Sequence, residues 1–259
     1  MSTKGLSNPR TTEAVRALLA DLDWSRARVA DVGAGRGHFC AVLGAELEAR
    51  GLEPRAHLLP CDRQPESFQY APVACARVAP DGRLPYADES CDAVVSIEVV
   101  EHVEDQFAFL RELARVARPG ARVIVTTPNV LSLPSRLRTF AWGFPELFDP
   151  LPHAGADERL LGGHIHPITA YFLAFAALRA GLERPTLHAD RRKRSALAWL
   201  LPSAPLLFVA SAFQRGRLAR KNPEVLAQNR ELLHALGGIG MLTARTVILC
   251  AQKPSRASS

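Results

Sequence analysis

Apolar residues recur along this chain at two spacings. From Thr12 to Leu22 they follow a helical period, the run from Arg28 to Val32 is apolar and β-branched, and a second helical pattern spans Phe39 to Arg50. Glycines at 33, 35 and 37 lie between the run and the second pattern, which predicts a strand, a tight turn and a helix. The stretch Ala56 to Leu59, ending at Cys61 and Asp62, and the stretch Cys75 to Val78 read as short strands. CDAVVSIEVV reads as a buried strand with its exit, Asp105 to Ala117 as an amphipathic helix broken by Pro119-Gly120, and ARVIVTTPN as the next strand. Helix returns from Thr169 to Ala180 and closes at Gly181. Pro185 to His188 and Leu242 to Ala251 complete the strands. Alternating strand and helix predict a parallel sheet covered on both faces.

Two stretches depart from that rhythm. Residues 130–166 are rich in Pro, Gly and His and too long for an ordinary connection, so they are expected to form a lid. Residues 191–238 form an apolar helical insertion. Its segment SALAWLLPSAPLLFVASAF has no charge, is bordered by RRKR and RGR, and is too short and too proline-broken to span a bilayer. Two readings stay open. One is an interfacial helical hairpin meeting an anionic membrane surface through 191–221, with Trp199, Leu200, Leu207 and Phe208 entering the acyl boundary. The other is a buried helical pair packed on the domain or on a second subunit. The expected organisation is a single domain, 1–259, with core segments 25–129, 167–190 and 240–253.

With 47% hydrophobic residues, the 259 residues can bury a substantial core. The net charge of +6 is concentrated in patches beside the apolar insertion, which favours a membrane surface over nucleic acid; no nucleic acid is expected, because no zinc finger, helix-turn-helix or RNA-recognition strand stands out. Five scattered cysteines without CxxC spacing read as reduced thiols, and the first residues lack an apolar leader. Both features predict a cytoplasmic protein, membrane-associated if the insertion docks on lipid.

The chemistry starts at DVGAGRGHF. Gly33, Gly35 and Gly37 let the backbone turn sharply and a ligand come within contact distance, with helix N-terminal amides facing it. His38 holds the position where a third glycine would complete a dinucleotide fingerprint, and Asp31 is anionic where a pyrophosphate would sit badly. Such a strand end suits a ligand with a cationic amino-acid head, as S-adenosylmethionine has. Asp62, ending the second strand, is placed to accept hydrogen bonds from a ribose diol. His102, at the carboxyl edge of the fourth strand, is the candidate general base, against a structural reading in which it caps or packs under the next helix. His153, His164, His166, Arg136 and Arg138 in the lid are candidates for the acceptor side, weighed against hydrogen-bonded or solvated roles.

The order DVGAGRGHF, then Asp62, then LPYADESCDAVVSIEVVEHVEDQFAFLRELARVARPGARVIVTTPN resembles class I methyltransferases, most closely the group that includes the ubiquinone-pathway O-methyltransferases. The resemblance covers residues 28–129, weakens up to Glu183 and fails over the insertion. It implies a Rossmann-like, doubly wound, mostly parallel seven-stranded sheet and S-adenosylmethionine as cofactor. Gly33, Ala34, Gly35 and Gly37 would hold the methionine part and Asp62 the ribose. Asp81 and Leu84 would lie near adenine, with Ala79 or Pro80 as alternative holders of the adenine position, and Glu98 would contact the cofactor. It also associates Glu98, Glu101 and His102 with a divalent ion such as Mg2+. The implied activity is methyl transfer to a small-molecule or lipid-like acceptor, at oxygen. Two rivals are a cofactor-binding protein without turnover and a nicotinamide-dependent oxidoreductase; the missing third glycine, and Tyr171 with no lysine four residues later, weigh against the second.

Overall fold

In the computed structural model, residues 8–151, 163–190 and 194–256 are described. His153 and the basic residues Arg191 to Lys193 lie outside them. The chain opens with α1 (Pro9–Ala17), whose N-cap Asn8 accepts from Arg10 N, followed by β1 (Val29–Val32), α2 (His38–Ala49), α3 (Pro54–His57), β2 (Leu58–Asp62), β3 (Ala76–Arg77) and β4 (Cys91–Ile97). Then come α4 (Gln106–Val116), β5 (Ala117–Pro128), α5 (Leu133–Trp142), α6 (Ala170–Arg179) and β6 (Glu183–Ala189). The insertion forms α7 (Arg194–Lys221), α8 (Pro223–Gln228), α9 (Arg230–Leu236) and α10 (Ile239–Thr243), and β7 (Thr246–Gln252) ends the order.

The seven strands make one sheet, ordered β3-β2-β1-β4-β5-β7-β6. β1 to β5 pair in parallel, while β7 runs antiparallel to both β5 and β6. This is the Rossmann-like α/β fold that the alternation predicts. Alternation along β4 shows how the two faces are filled. Ala93, Val95 and Ile97 join Val15, Leu19, Phe39, Leu43 and Leu47 from α1, α2 and the turn after α1, whereas Val94 joins Leu110, Leu113, Leu173 and Ala177 from α4 and α6. Both faces are closed by helices, so the strands read as apolar runs.

Several boundaries differ from the sequence pattern, beginning with α1, which spans Pro9–Ala17 and not Thr12 to Leu22. Ala56 and His57 belong to α3, because Pro54 opens a helical turn at its first position, where its missing N–H costs nothing. β5 begins at Ala117, ahead of Pro119-Gly120, and pairs with Cys91 through an irregular register before the regular ladder resumes at Arg122. Leu242 lies in α10, so β7 starts later, at Thr246. The insertion also differs from a hairpin: Pro202 and Pro205 sit within one helix of 28 residues. Each proline removes one donor of the ladder, and Ser203 Oγ donates to Trp199 O at 2.6 Å beside the gap.

Candidate active site

The carboxyl edges of β1, β2 and β4 converge on one loop, residues 33–37. Gly33 N and Ala34 N both donate to Cys61 O, at 2.8 and 3.1 Å, which holds the loop over β2. All three glycines have positive φ, a conformation only glycine adopts readily. Their surroundings separate their roles. A Cβ at Gly33 would stand 2.3 Å from Val99 Cγ2, and one at Gly37 would stand 2.7 Å from Phe68 Cε2, whereas one at Gly35 would meet nothing within 4 Å. Gly33 and Gly37 therefore serve packing within the protein. Gly35 borders open space at the N-terminus of α2.

Asp31 and Asp62 flank this space. Asp31 is buried, and its Oδ2 accepts from Cys40 Sγ at 3.2 Å. Burial, together with the charge of Asp62, pushes its carboxyl up to about 7. Because the folded-state value lies above the ordinary 3.8, the unfolded chain ionises first and stability falls as pH rises from about 4 to 7. Asp31→Asn is therefore expected to remove a pH-dependent loss of up to about 4 kcal/mol, read as the difference between wild-type and variant urea midpoints across that window. Equal slopes would show that the carboxyl titrates normally.

Asp62 Oδ2 accepts from Gly35 N at 2.8 Å and Oδ1 from Gln64 N at 2.8 Å. Its carboxylate thus pins the glycine loop, a contact the sequence reading did not foresee. Asp62→Ala should weaken cofactor binding by about 1–3 kcal/mol, since it leaves the Gly35 N–H without its acceptor and removes a charged hydrogen-bond partner. Calorimetry with S-adenosylhomocysteine measures this, and a loss under about half a kcal/mol would place the loop's anchor elsewhere. Asp81 is exposed and accepts from Arg83 N at 3.0 Å within its own turn, while buried Leu84 donates its N–H to Glu112.

At the end of β4 the backbone turns abruptly. Glu98 has φ +54°, and its N–H donates to Thr126 O and Oγ1, at 3.2 and 3.0 Å. The short 3-10 turn Val100–His102 follows and turns Glu101 inward. Glu101 is fully buried; Oε2 accepts from Thr127 Oγ1 at 3.1 Å, and Oε1 has no hydrogen-bond partner. Burial, and behind it the neighbouring Glu98, pushes this carboxyl up to about 8. The two threonines of the TTPN run were the available sequence signal for these contacts.

Residues 163–166 strap across this turn. Ile165 N and His166 N donate to Glu101 O, each at 3.0 Å, and Gln106 Nε2 donates to Val100 O and His166 O. His102 Nδ1 lies 2.9 Å from Gly163 O and His164 Nδ1 lies 2.7 Å from Leu147 O. A carbonyl oxygen only accepts, so each neutral imidazole carries its hydrogen on Nδ1 and its lone pair on Nε2. Burial, and then the nearby His102, hold His164 below the usual imidazole range. The two rings meet edge to face at 4.9 Å, and donor atoms of Glu101, His102 and His164 lie within 4.8 Å of one another. Glu98 is not one of these three.

The remaining lid candidates separate. His166 is exposed and its Nδ1 faces Glu104 O. Arg138 is spent within the lid, bonded to Pro145 O, Phe148 O and Asp149 and stacked over Trp142. Arg136 donates to Leu131 O at 2.8 Å, and burial lowers its guanidinium.

Residues 30–125 match a family described as "Methyltransferase domain". Norajmaline N-methyltransferase of Rauvolfia serpentina is 31% identical over 98 residues, covering 37% of this chain and 34% of that protein. Demethylmenaquinone methyltransferase of Mycobacterium sp. (strain KMS) is 36% identical over 121 residues, covering 44% and 52%. The match thus spans about a third of the first relative's length and about half of the second's. A solved SAM-dependent methyltransferase from Archaeoglobus fulgidus shares the fold, with a TM-score of 0.53 at 16% identity over 93% of this chain and 94% of that one.

Proposed function

Since this chain carries a class I S-adenosylmethionine-dependent methyltransferase domain, we propose that it transfers the methyl group to an oxygen of a small, lipid-like acceptor, with His102 taking the acceptor's proton. One observation carries the proposal: a histidine whose Nδ1 is tied to Gly163 O, leaving the Nε2 lone pair available in the turn that follows the carboxyl end of β4.

The residues present fit the cofactor. Gly35 leaves open space where Gly33 and Gly37 are packed, that space lies at the N-terminus of α2, and a cationic amino-acid head would draw the buried Asp31 carboxyl back to its ionised form. When bound, S-adenosylmethionine supplies an electrophilic methyl on a sulfonium. The protein's part is alignment and proton removal. Asp62 fixes the glycine loop, Val99 packs against Gly33 at its start, and the strap at 163–166 sets the His102 ring.

The lipid-like acceptor is supported by the surface of α5 and α7. Phe140 is 91% exposed, Leu206 73% and Phe208 76%, and Trp142, Trp199, Val209 and Phe213 are also exposed. Arg215, Arg217, Arg220 and Lys221 follow on the same helix. An apolar stretch ending in a basic cluster fits the boundary of an anionic bilayer, where aromatics enter the acyl edge and cations meet headgroups. No helix among the described residues is long and apolar enough to cross a membrane.

The test is a transfer assay with radiolabelled S-adenosylmethionine on membrane and soluble extracts, with and without vesicles containing phosphatidylglycerol. Label in an organic-extractable product, raised by anionic vesicles, is expected. Label only in water-soluble products would reject the lipid-like acceptor, and no label with intact S-adenosylhomocysteine binding would favour a binding protein without turnover.

A further inference from the structure

We infer that Glu101, His102 and His164 form a binding site for one divalent transition-metal ion, held by two imidazoles and one carboxylate. The argument begins with an orphan. Glu101 Oε1 is fully buried, has no hydrogen-bond partner, and lies 4.0 Å from His164 Nε2. A buried carboxyl oxygen without a hydrogen-bond partner is costly, and the fold retains one here at the mouth of a histidine pair. Both histidines present lone pairs, since each Nδ1 is engaged by a backbone carbonyl, Gly163 O or Leu147 O. Such a carbonyl partner is the usual outer contact of a metal-bound imidazole, fixing tautomer and ring orientation.

The spacing agrees. Donor atoms of the three side chains lie within 4.8 Å of one another, whereas neighbouring ligands at bonds of about 2.1 Å stand roughly 3–3.5 Å apart. Closing the gap takes side-chain shifts of about an ångström. The carboxylate already has its second oxygen held by Thr127 Oγ1, so the third ligand is positioned as well.

The donor set also selects the ion. Two nitrogens and one carboxylate suit zinc, cobalt, nickel or iron(II), while magnesium prefers an all-oxygen shell. The arrangement differs from the Glu98, Glu101 and His102 set associated with Mg2+ in the sequence reading, because the 3-10 turn faces Glu101 inward and the strap delivers His164 from 62 positions further along the chain. The consequence for catalysis, which rests on the proposed function, is that an ion here would ease loss of the acceptor's proton, the same task that falls to His102 in the ion-free protein.

The test is titration of the full chain with Co2+, followed by its visible absorption and by equilibrium dialysis with metal analysis. Saturable binding of one ion per chain is expected, weakened at least about tenfold in both His164→Ala and Glu101→Gln and unchanged in His166→Ala. Glu101→Gln keeps the side-chain shape, so it remains informative if His164→Ala melts early by circular dichroism. Absence of saturable Co2+ binding in the wild type, or equal binding in both variants, would overturn the site. Displacement of Co2+ by equimolar Mg2+ would overturn the transition-metal assignment. Calorimetry with S-adenosylhomocysteine on the same preparation reports separately on the methyltransferase reading, so Co2+ binding without nucleoside binding would sink that reading alone.

Discussion

Gly35→Val is expected to abolish S-adenosylmethionine binding while the protein stays folded. The isopropyl group would project into the space beside the glycine loop, where a Cβ meets no protein atom within 4 Å, and would fill what the ligand needs. Backbone strain adds to this, since φ is +51° and a non-glycine residue in that region costs roughly 1–2 kcal/mol. Gly35→Ala separates the two effects by keeping most of the strain with far less bulk. The neighbours behave differently. Gly33→Ala drives a methyl into Val99 and should lower the melting temperature before it touches the ligand. Calorimetric affinity for S-adenosylhomocysteine, with circular dichroism as the folding control, decides the matter, and unchanged affinity in Gly35→Val would remove the site from this loop.

The second large effect is at His102. His102→Ala should lower turnover on the order of a hundredfold or more with little change in cofactor affinity, because proton removal is needed in the transition state and not for binding the nucleoside. The same side chain is a ligand in the inferred metal site, so wild-type activity should also be measured with and without EDTA. Chelator-insensitive turnover that collapses in the alanine variant assigns the proton to the imidazole itself. Chelator-sensitive turnover restored by Co2+ or Zn2+ assigns it to the loaded cluster. Normal turnover in the variant leaves His102 with its structural bond to Gly163 and nothing more.

The parts of the site that could be read in the sequence are those built from neighbours along the chain. DVGAGRGHF is a strand, three left-handed turns and a helix start, and every one of those features follows from local residue chemistry. CDAVVSIEVV and the helix after it were equally plain, because a fully buried parallel strand and an amphipathic helix have different periods. What the sequence could not show is which of two glutamates, three residues apart, turns inward. A 3-10 turn after a left-handed residue at 98 decides that, and neither has a strong compositional signal. The pairing of His102 with His164 is similarly hidden, since only the tertiary fold lays the strap over the turn. The course of the chain through the insertion is a further feature without a local signal. Two prolines usually end helices, yet α7 runs through both Pro202 and Pro205, with Ser203 Oγ donating to Trp199 O between them.

The antiparallel β7 has a consequence for how the chain assembles during synthesis. β5 and β6 do not pair with each other; each pairs with β7, which is made after both and after the whole insertion. Until residues 246–252 emerge, Arg122 to Pro128 present a bare apolar edge, and β6 has no ladder to join. The last strand then enters as a wedge between two waiting partners, closing contacts between residues far apart in the chain. Such late, long-range closure is slow and exposes the edge to other chains in the interval. A nascent chain stalled before Thr246 is accordingly expected to be sticky, and to lose that property once the wedge is in place.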